Sequence, residues 1–100
     1  LKKVEFMEDK VGQIYEGIIS GVTNWGIYVE LPNTIEGMVA LSQMDDDYYE
    51  FDEKKMLVFG KRTKKSYRLG DKVVVSVAKV DRMMGTIDFV FEKENEDFQE

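Results

Sequence analysis

Two aromatic residues, Trp25 and Tyr28, lie close together in the stretch NWGIYVELP. Exposed rings at this spacing could stack on unpaired nucleic-acid bases, and each stacked base contributes roughly 1–3 kcal/mol as judged by alanine substitution. Apolar and polar residues alternate along Gly26–Leu31, so we expect Tyr28 on the face opposite to Ile27. The pattern does not decide where the Trp25 ring lies. It could close one end of a core beside a lone exposed tyrosine, or lie outside if Gly26 redirects the chain.

A cluster of basic residues offers contacts for phosphate groups. Positions 54 to 82 hold ten lysines and arginines against two aspartates, a local balance of +8 in a chain of formal net charge −6. Cations beside aromatic rings suit a groove for a single nucleic-acid strand, although a solvated hairpin tip would show the same pattern. The candidates are Lys79 and Arg82, and, in a second group, Lys61, Arg62, Lys64, Lys65, Tyr67 and Arg68.

The chain contains neither cysteine nor histidine. This composition excludes disulfides and thiolate metal sites, and leaves carboxylates, lysine and tyrosine for any chemistry. The acidic run Asp45–Glu53 could attract magnesium, but no base or nucleophile accompanies it. We therefore predict no catalytic residue, no metal site and no cofactor within these residues. We also predict a cytoplasmic location, the default for a chain without cysteine. We predict no membrane partner, because no apolar run approaches the roughly 20 residues that span a bilayer.

The elements that must position these side chains are strands. Alternating, β-branched segments separated by turn residues predict five of them, at Val11–Val22, Gly26–Leu31, Ile35–Leu41, Lys72–Val80 and Thr86–Phe91. The connection 42–71 is too long for an unstructured loop, and we expect a hairpin pairing Met56–Phe59 with Ser66–Arg68. The pattern predicts an all-β, five-stranded antiparallel barrel of the OB type with a structured insertion between strands 3 and 4. An open sheet or an SH3-like barrel would produce nearly the same pattern.

We expect a single domain over residues 11–91, with residues 42–71 as its insertion. Val4 and Met7 have the spacing of one helical face, but a segment of ten residues, 1–10, is too short to decide. Residues 92–100 are polar and acidic, and we predict a flexible tail.

Several strings together resemble a known family. VGQIYEGIISGVTNWGIYVEL, IEGMVALSQM, GDKVVVSVAKVD and GTIDF are similar to the S-one (S1) RNA-binding domain. DDYYEFDEKK and GKRTKKSYRLGDKV narrow the resemblance to the copy at the C-terminal side of the bacterial ribonuclease R family. On this resemblance, residues 1–10 would be the last turn of a preceding catalytic domain.

The resemblance implies an OB-type barrel with RNA lying across strands 2 and 3. The stacking aromatics of the family correspond to Trp25 and Tyr28, and its aspartate at the end of strand 4 corresponds to Asp81. Two residues depart from the pattern, because Ala40 replaces a frequent histidine and Thr86 replaces a basic residue. We expect Arg82 to supply the charge lost at Thr86, and the basic hairpin to enlarge the groove.

The implied function is capture of single-stranded RNA for a 3′-to-5′ exoribonuclease, a hydrolase whose catalytic residues and magnesium lie in other domains. The expected partners are single-stranded RNA and the catalytic and other RNA-binding domains of a parent chain, with the domain itself monomeric. Two other classes stay open from the residues alone. One is a protein-interaction barrel that docks a basic partner through acidic surfaces. The other is a hydrolase that uses the cluster Asp45–Glu53.

Overall fold

The structure is a computed structural model that describes residues 2–93, with side chains from residue 4 onward. A short helix, α1 (Lys2–Met7), is followed by a 3-10 turn at Glu8–Lys10. A second 3-10 turn lies at Leu41–Gln43. The strands are β1 (Ile14–Val22), β2 (Gly26–Glu30), β3 (Glu36–Ala40), β4 (Tyr49–Asp52), β5 (Leu57–Gly60), β6 (Ser66–Arg68), β7 (Lys72–Asp81) and β8 (Thr86–Phe91).

Five of these strands form a closed barrel in the order β1-β2-β3-β8-β7. Closure rules out the open sheet and confirms the predicted five-stranded barrel. The barrel is the predicted five-stranded antiparallel one, with a single parallel pair, β3 and β8, joined at Met38 and Asp88. The physical reason is the chain path: β7 pairs antiparallel with β1, and β8 then turns back beside β3 in the same direction as β3.

The alternation predicted for the barrel strands is observed, except that a bulge in β7 between Val77 and Lys79 leaves Ala78 and Lys79 both exposed. Ile27 and Val29 of β2 are fully buried, as are Val75 of β7 and, to within 1%, Phe89 of β8. The Phe89 ring packs closely against β3, since a Cβ added at Gly37 would lie 2.7 Å from Cε2 of Phe89. The inward faces therefore make one core, and the outward faces are left for other uses.

The insertion folds as a separate three-stranded sheet in the order β4-β5-β6. The predicted hairpin is confirmed, with Val58 opposite Tyr67. Strand β4 was not predicted, because its sequence YEFD alternates over only four residues and lies in an acidic run. Phe51 of β4 lies opposite Val58 and packs against the core residues, which explains why this polar segment is ordered as a strand.

The described N-terminal segment packs against the barrel through Val4 and Met7. Met7 is fully buried within the core cluster and Val4 is 7% exposed. The helical face that the sequence left undecided is therefore present, and it covers the barrel interior. The predicted flexible tail falls mainly on residues 94–100, which lie outside the described residues.

No helix between residues 2 and 93 is long and apolar enough to cross a membrane.

Candidate nucleic-acid interface

Trp25 projects from a hydrogen-bonded turn between β1 and β2. The Thr23 Oγ1 atom accepts the backbone N–H groups of Trp25, at 3.3 Å, and of Gly26, at 3.0 Å. The Trp25 carbonyl accepts the backbone N–H of Leu41 at 3.0 Å. With its backbone held on both sides, the indole is 59% exposed. The turn therefore holds Trp25 outside the barrel, which answers the question that alternation left open.

Tyr28 lies beside Trp25 on the outer face of β2. The Trp25 Nε1–H donates a hydrogen bond to the Tyr28 hydroxyl oxygen at 3.3 Å. Met38 is the neighbour of Tyr28 on β3, and a Cβ added at Gly26 would lie 2.6 Å from the Met38 sulfur. Glycine is thus needed for Met38 to lie close against β2. The result is an apolar platform of Trp25, Tyr28 and Met38.

The platform continues around the outside of the barrel as a row of side chains on adjacent strands. Tyr28 pairs with Met38, Met38 with Asp88, and Asp88 with Lys79. Each step between paired strands is about 4.8 Å, so Lys79 lies about 14 Å from Tyr28 along this line. We call these four residues the outer row. Lys79 and Asp88 are both exposed, so the row joins an aromatic end to a charged end.

Asp81 is the last residue of β7, and Arg82 follows it in the turn to β8. The Asp81 Oδ1 atom accepts the backbone N–H of Met84 at 2.9 Å and thereby fixes the turn. The Arg82 Nη2 atom donates to Glu5 Oε2 at 2.9 Å, and its Nε atom lies 3.9 Å from Glu8 Oε2. The cation expected to replace the charge missing at Thr86 is therefore paired with the N-terminal segment. Exposed ion pairs contribute only about 0–1 kcal/mol, so a phosphate could compete for it.

Asp47 holds the basic hairpin loop 61–65 in place. Its carboxylate accepts the backbone N–H groups of Tyr48, Arg62 and Thr63 at 2.6–3.0 Å, and the Thr63 hydroxyl at 2.7 Å. Burial alone would raise the pKa of Asp47. The hydrogen bonds from Thr63, Tyr48 and Arg62 outweigh it and hold this pKa well below its usual value.

We expect Asp47→Asn to loosen this loop, because an amide cannot accept all four hydrogen bonds. A carboxyl whose pKa is lowered by folding stabilises the protein above the unfolded pKa of about 4, and this contribution is lost as the pH falls further. Unfolding midpoints in urea at pH 7 and pH 3, and exchange of the Arg62 and Thr63 amides, measure both effects. Asp45→Asn is the matched control, because Asp45 is exposed and lies two residues before Asp47. Equal amide protection in both variants would contradict the role of Asp47.

Only part of the predicted hairpin cluster is free to meet a ligand. Lys61 pairs with Glu50 at 2.7 Å, and the Arg62 guanidinium donates to the Asp46 carbonyl at 2.9 Å. Lys64, Lys65 and Arg68 are exposed and form no ion pair with any residue from 4 to 93.

Tyr67 was included in the predicted basic cluster as an RNA contact. It is 6% exposed, and its ring stacks on Phe91 with centroids 4.6 Å apart. Tyr67 lies in β6 opposite the buried Val58 and belongs to the core cluster, so little of its ring is open to a base.

The acidic run makes hydrogen bonds within the insertion. The Tyr49 hydroxyl donates to Asp46 Oδ1 at 3.0 Å, and burial, the neighbouring Tyr67 and this bond raise the pKa of Tyr49 above its usual value. Across the described part of the chain, no group of three or more Asp, Glu, His or Cys residues is arranged to hold a metal ion.

Comparison with known proteins decides the family. The family model described as the S1 RNA binding domain matches residues 8–90. The chain belongs to the S1 RNA-binding domain family. This S1 domain is similar to ribonuclease R 1 of Lactococcus lactis, at 44% identity over 91 residues. It is also similar to ribonuclease R of Thermotoga maritima, at 38% over 98 residues, and of Escherichia coli, at 42% over 88 residues.

These alignments cover 91%, 97% and 87% of the S1 domain, but only 11%, 14% and 11% of the respective relatives. The chain thus spans a small fraction of the curated relatives that it matches. A solved structure of Mycoplasma genitalium RNase R in complex with ribose-methylated single-stranded RNA has the same fold, with a TM-score of 0.84 at 23% identity. That match covers 89% of the S1 domain and 14% of the solved chain.

The two departures from the family pattern, Ala40 and Thr86, lie at opposite ends of the outward-facing surface of the barrel. Ala40 pairs with Gly26 beside the Trp25 turn, and Thr86 pairs with Asp81. Met38 and Asp88 are residues of this S1 domain that the sequence did not single out. Alternation placed Met38 outward, but only the parallel pairing of β3 with β8 brings Asp88 beside it.

Proposed function

We propose that this S1 domain binds single-stranded RNA by stacking bases on Trp25 and Tyr28. The observation that carries the proposal is the hydrogen bond between the indole and the phenol, which joins the exposed ring of Trp25 to the partly exposed ring of Tyr28 on the outer face of a closed barrel. Stacking on a preformed platform tolerates every base, because each base has an aromatic face. We therefore expect weak sequence selectivity from these two rings.

The phosphate groups would be met by cations at two places. Lys79 lies at the charged end of the outer row and forms no ion pair with any residue from 4 to 93. On the insertion, the exposed cations without an ion pair to any residue from 4 to 93 are Lys64, Lys65 and Arg68. Asp81 would act indirectly, by fixing the turn that carries Arg82.

A titration tests the proposal directly. Trp25 is the only tryptophan, so its fluorescence can be followed as oligo(A) or oligo(U) is added at several salt concentrations. We expect quenching that weakens as salt rises, because bound cations are released from RNA phosphates on binding. Absence of binding at low salt would overturn the proposal.

Lys79→Ala is expected to weaken RNA binding and to lower the salt slope. One lost phosphate contact to a single strand reduces the slope of log affinity against log salt by about 0.7. Lys54→Ala is the matched control, because Lys54 is an exposed cation between β4 and β5 in the insertion. Anisotropy of labelled oligo(U) at several salt concentrations measures both slopes. An unchanged slope in Lys79→Ala would remove Lys79 from the interface.

The role of the whole protein is a wider proposal. The similarity to ribonuclease R relatives supports a 3′-to-5′ exoribonuclease in which this domain captures the strand and passes its 3′ end to a catalytic domain. Catalysis and its magnesium would belong to that other domain. We further infer a bacterial, cytoplasmic protein in which this domain is monomeric and works beside the catalytic and other RNA-binding domains.

A protein-interaction barrel is the competing function. Glu30 and Glu36 face each other across β2 and β3 on the outer surface, an acidic pair that could meet a basic partner. A domain that fails to bind RNA but binds basic peptides would favour this function.

A further inference from the structure

Asp88 occupies an unusual place in the proposed interface. It is exposed on β8, with Met38 as its neighbour on one side and Lys79 on the other. Among residues 4–93 its carboxylate has no hydrogen-bond or ion-pair partner. A negative charge thus lies between the apolar platform and the cation proposed to meet a phosphate.

A carboxylate at this point disfavours one kind of RNA group and favours another. It repels phosphate, but it accepts hydrogen bonds from base N–H groups, and bonds to an ionised acceptor are stronger than neutral ones. Single-stranded RNA presents its Watson–Crick edges for such contacts. The guanine edge carries two adjacent donors, at N1 and N2. The uracil edge carries one, at N3, between two carbonyl oxygens that a carboxylate repels.

Met38 lies between Tyr28 and this carboxylate. The side chain is half-buried between Tyr28 and Asp88, so a base that stacks on Tyr28 and extends over Met38 brings its edge toward Asp88. The thioether is a soft apolar surface that suits contact with an aromatic ring. Lys79, on the far side, forms no ion pair with Asp88 and remains available for the next phosphate.

We propose that Asp88 selects the base on the platform and favours guanine over uracil. This inference rests on the proposed RNA-binding function and adds a base preference that stacking alone does not give. The geometry behind it is the outer row, in which platform, carboxylate and cation follow one another on adjacent strands.

The test compares fluorescein-labelled (UG)6 with (U)12 by anisotropy at low salt. Wild-type protein is expected to bind (UG)6 about fivefold more tightly, near the lower end of the 1–3 kcal/mol range for a bidentate base contact because the site is exposed. Asp88→Asn should reduce that ratio to below about twofold, since it removes the charge that distinguishes the two edges. Replacing guanine by inosine removes the N2 donor and should lower the wild-type ratio in part.

Glu16→Gln provides the matched control. It makes the same change of charge at an exposed position on β1, where Glu16 pairs with Val74 and lies off the outer row. Its ratio should equal that of the wild type. If Asp88→Asn raises the affinity for both oligonucleotides equally and leaves the ratio unchanged, Asp88 only repels phosphate and the inference is overturned. If the wild type binds neither oligonucleotide at low salt, the proposed function itself fails.

Discussion

Trp25→Ala is expected to weaken binding of single-stranded RNA by about 5- to 150-fold, the range that corresponds to roughly 1–3 kcal/mol for one stacked base. The indole is 59% exposed and takes no part in the barrel core, so its removal should leave folding intact. Its loss also removes the hydrogen bond that the Tyr28 hydroxyl accepts from the indole N–H. Anisotropy of labelled oligo(A) measures the affinity, and thermal unfolding checks the fold.

Two variants make this result specific. Tyr48→Ala removes another ring, 75% exposed, from the start of the insertion, and it should bind RNA as the wild type does. Tyr28→Phe keeps the ring but removes the oxygen that accepts the indole N–H, so it should show a smaller loss than Trp25→Ala. Wild-type affinity in Trp25→Ala would contradict the stacking platform.

Met7→Ala is expected to have the largest effect on stability. Met7 is fully buried in the core cluster, and truncation of a buried methionine to alanine typically costs about 2–5 kcal/mol, from lost transfer energy and the cavity left behind. Guanidinium unfolding of the purified chain measures the change as a lower midpoint at an unchanged slope. The result matters because the sequence alone suggested that residues 1–10 were a remnant of another domain.

Phe6→Ala is the natural comparison, since Phe6 precedes Met7 on the same helix and is 53% exposed. Its ring lies 4.6 Å from the Lys10 ammonium, an exposed contact that contributes only about 0.5–1 kcal/mol. We therefore expect a small change in Phe6→Ala and a large one in Met7→Ala. Equal, small effects would show that α1 does not belong to the stable unit of this domain.

The N-terminal segment has a second consequence for the interface. It brings Glu5 and Glu8 to Arg82, a residue 77 positions away from Glu5. The loop between β7 and β8 is thus tied to α1, and the positive charge next to Asp81 is partly neutralised. Sequence reasoning could identify Arg82 as a cation but had no means to place two carboxylates beside it.

Much of the fold was predictable because strand alternation is a local property. Ile27 and Val29 face inward and Tyr28 outward as a direct result of the two-residue period of a strand. The hairpin of β5 and β6 was predictable for a similar reason, since its strands are close in sequence. Strand β4 was not, because Phe51 is ordered by packing against residues that its own segment does not contain.

The sequence by itself determined which residues face the core in the regularly alternating strands, such as Ile27 and Val29 in β2, and the family to which the domain belongs. Only the tertiary structure decided which outward residues are neighbours. The parallel pairing of β3 with β8 brings Met38 and Asp88 together from positions 50 residues apart, and the stacking of Tyr67 on Phe91 removes a predicted contact from the surface. The physical reason is that alternation fixes the direction of a side chain within one strand. Barrel closure and core packing depend on pairings between strands that are distant in the chain.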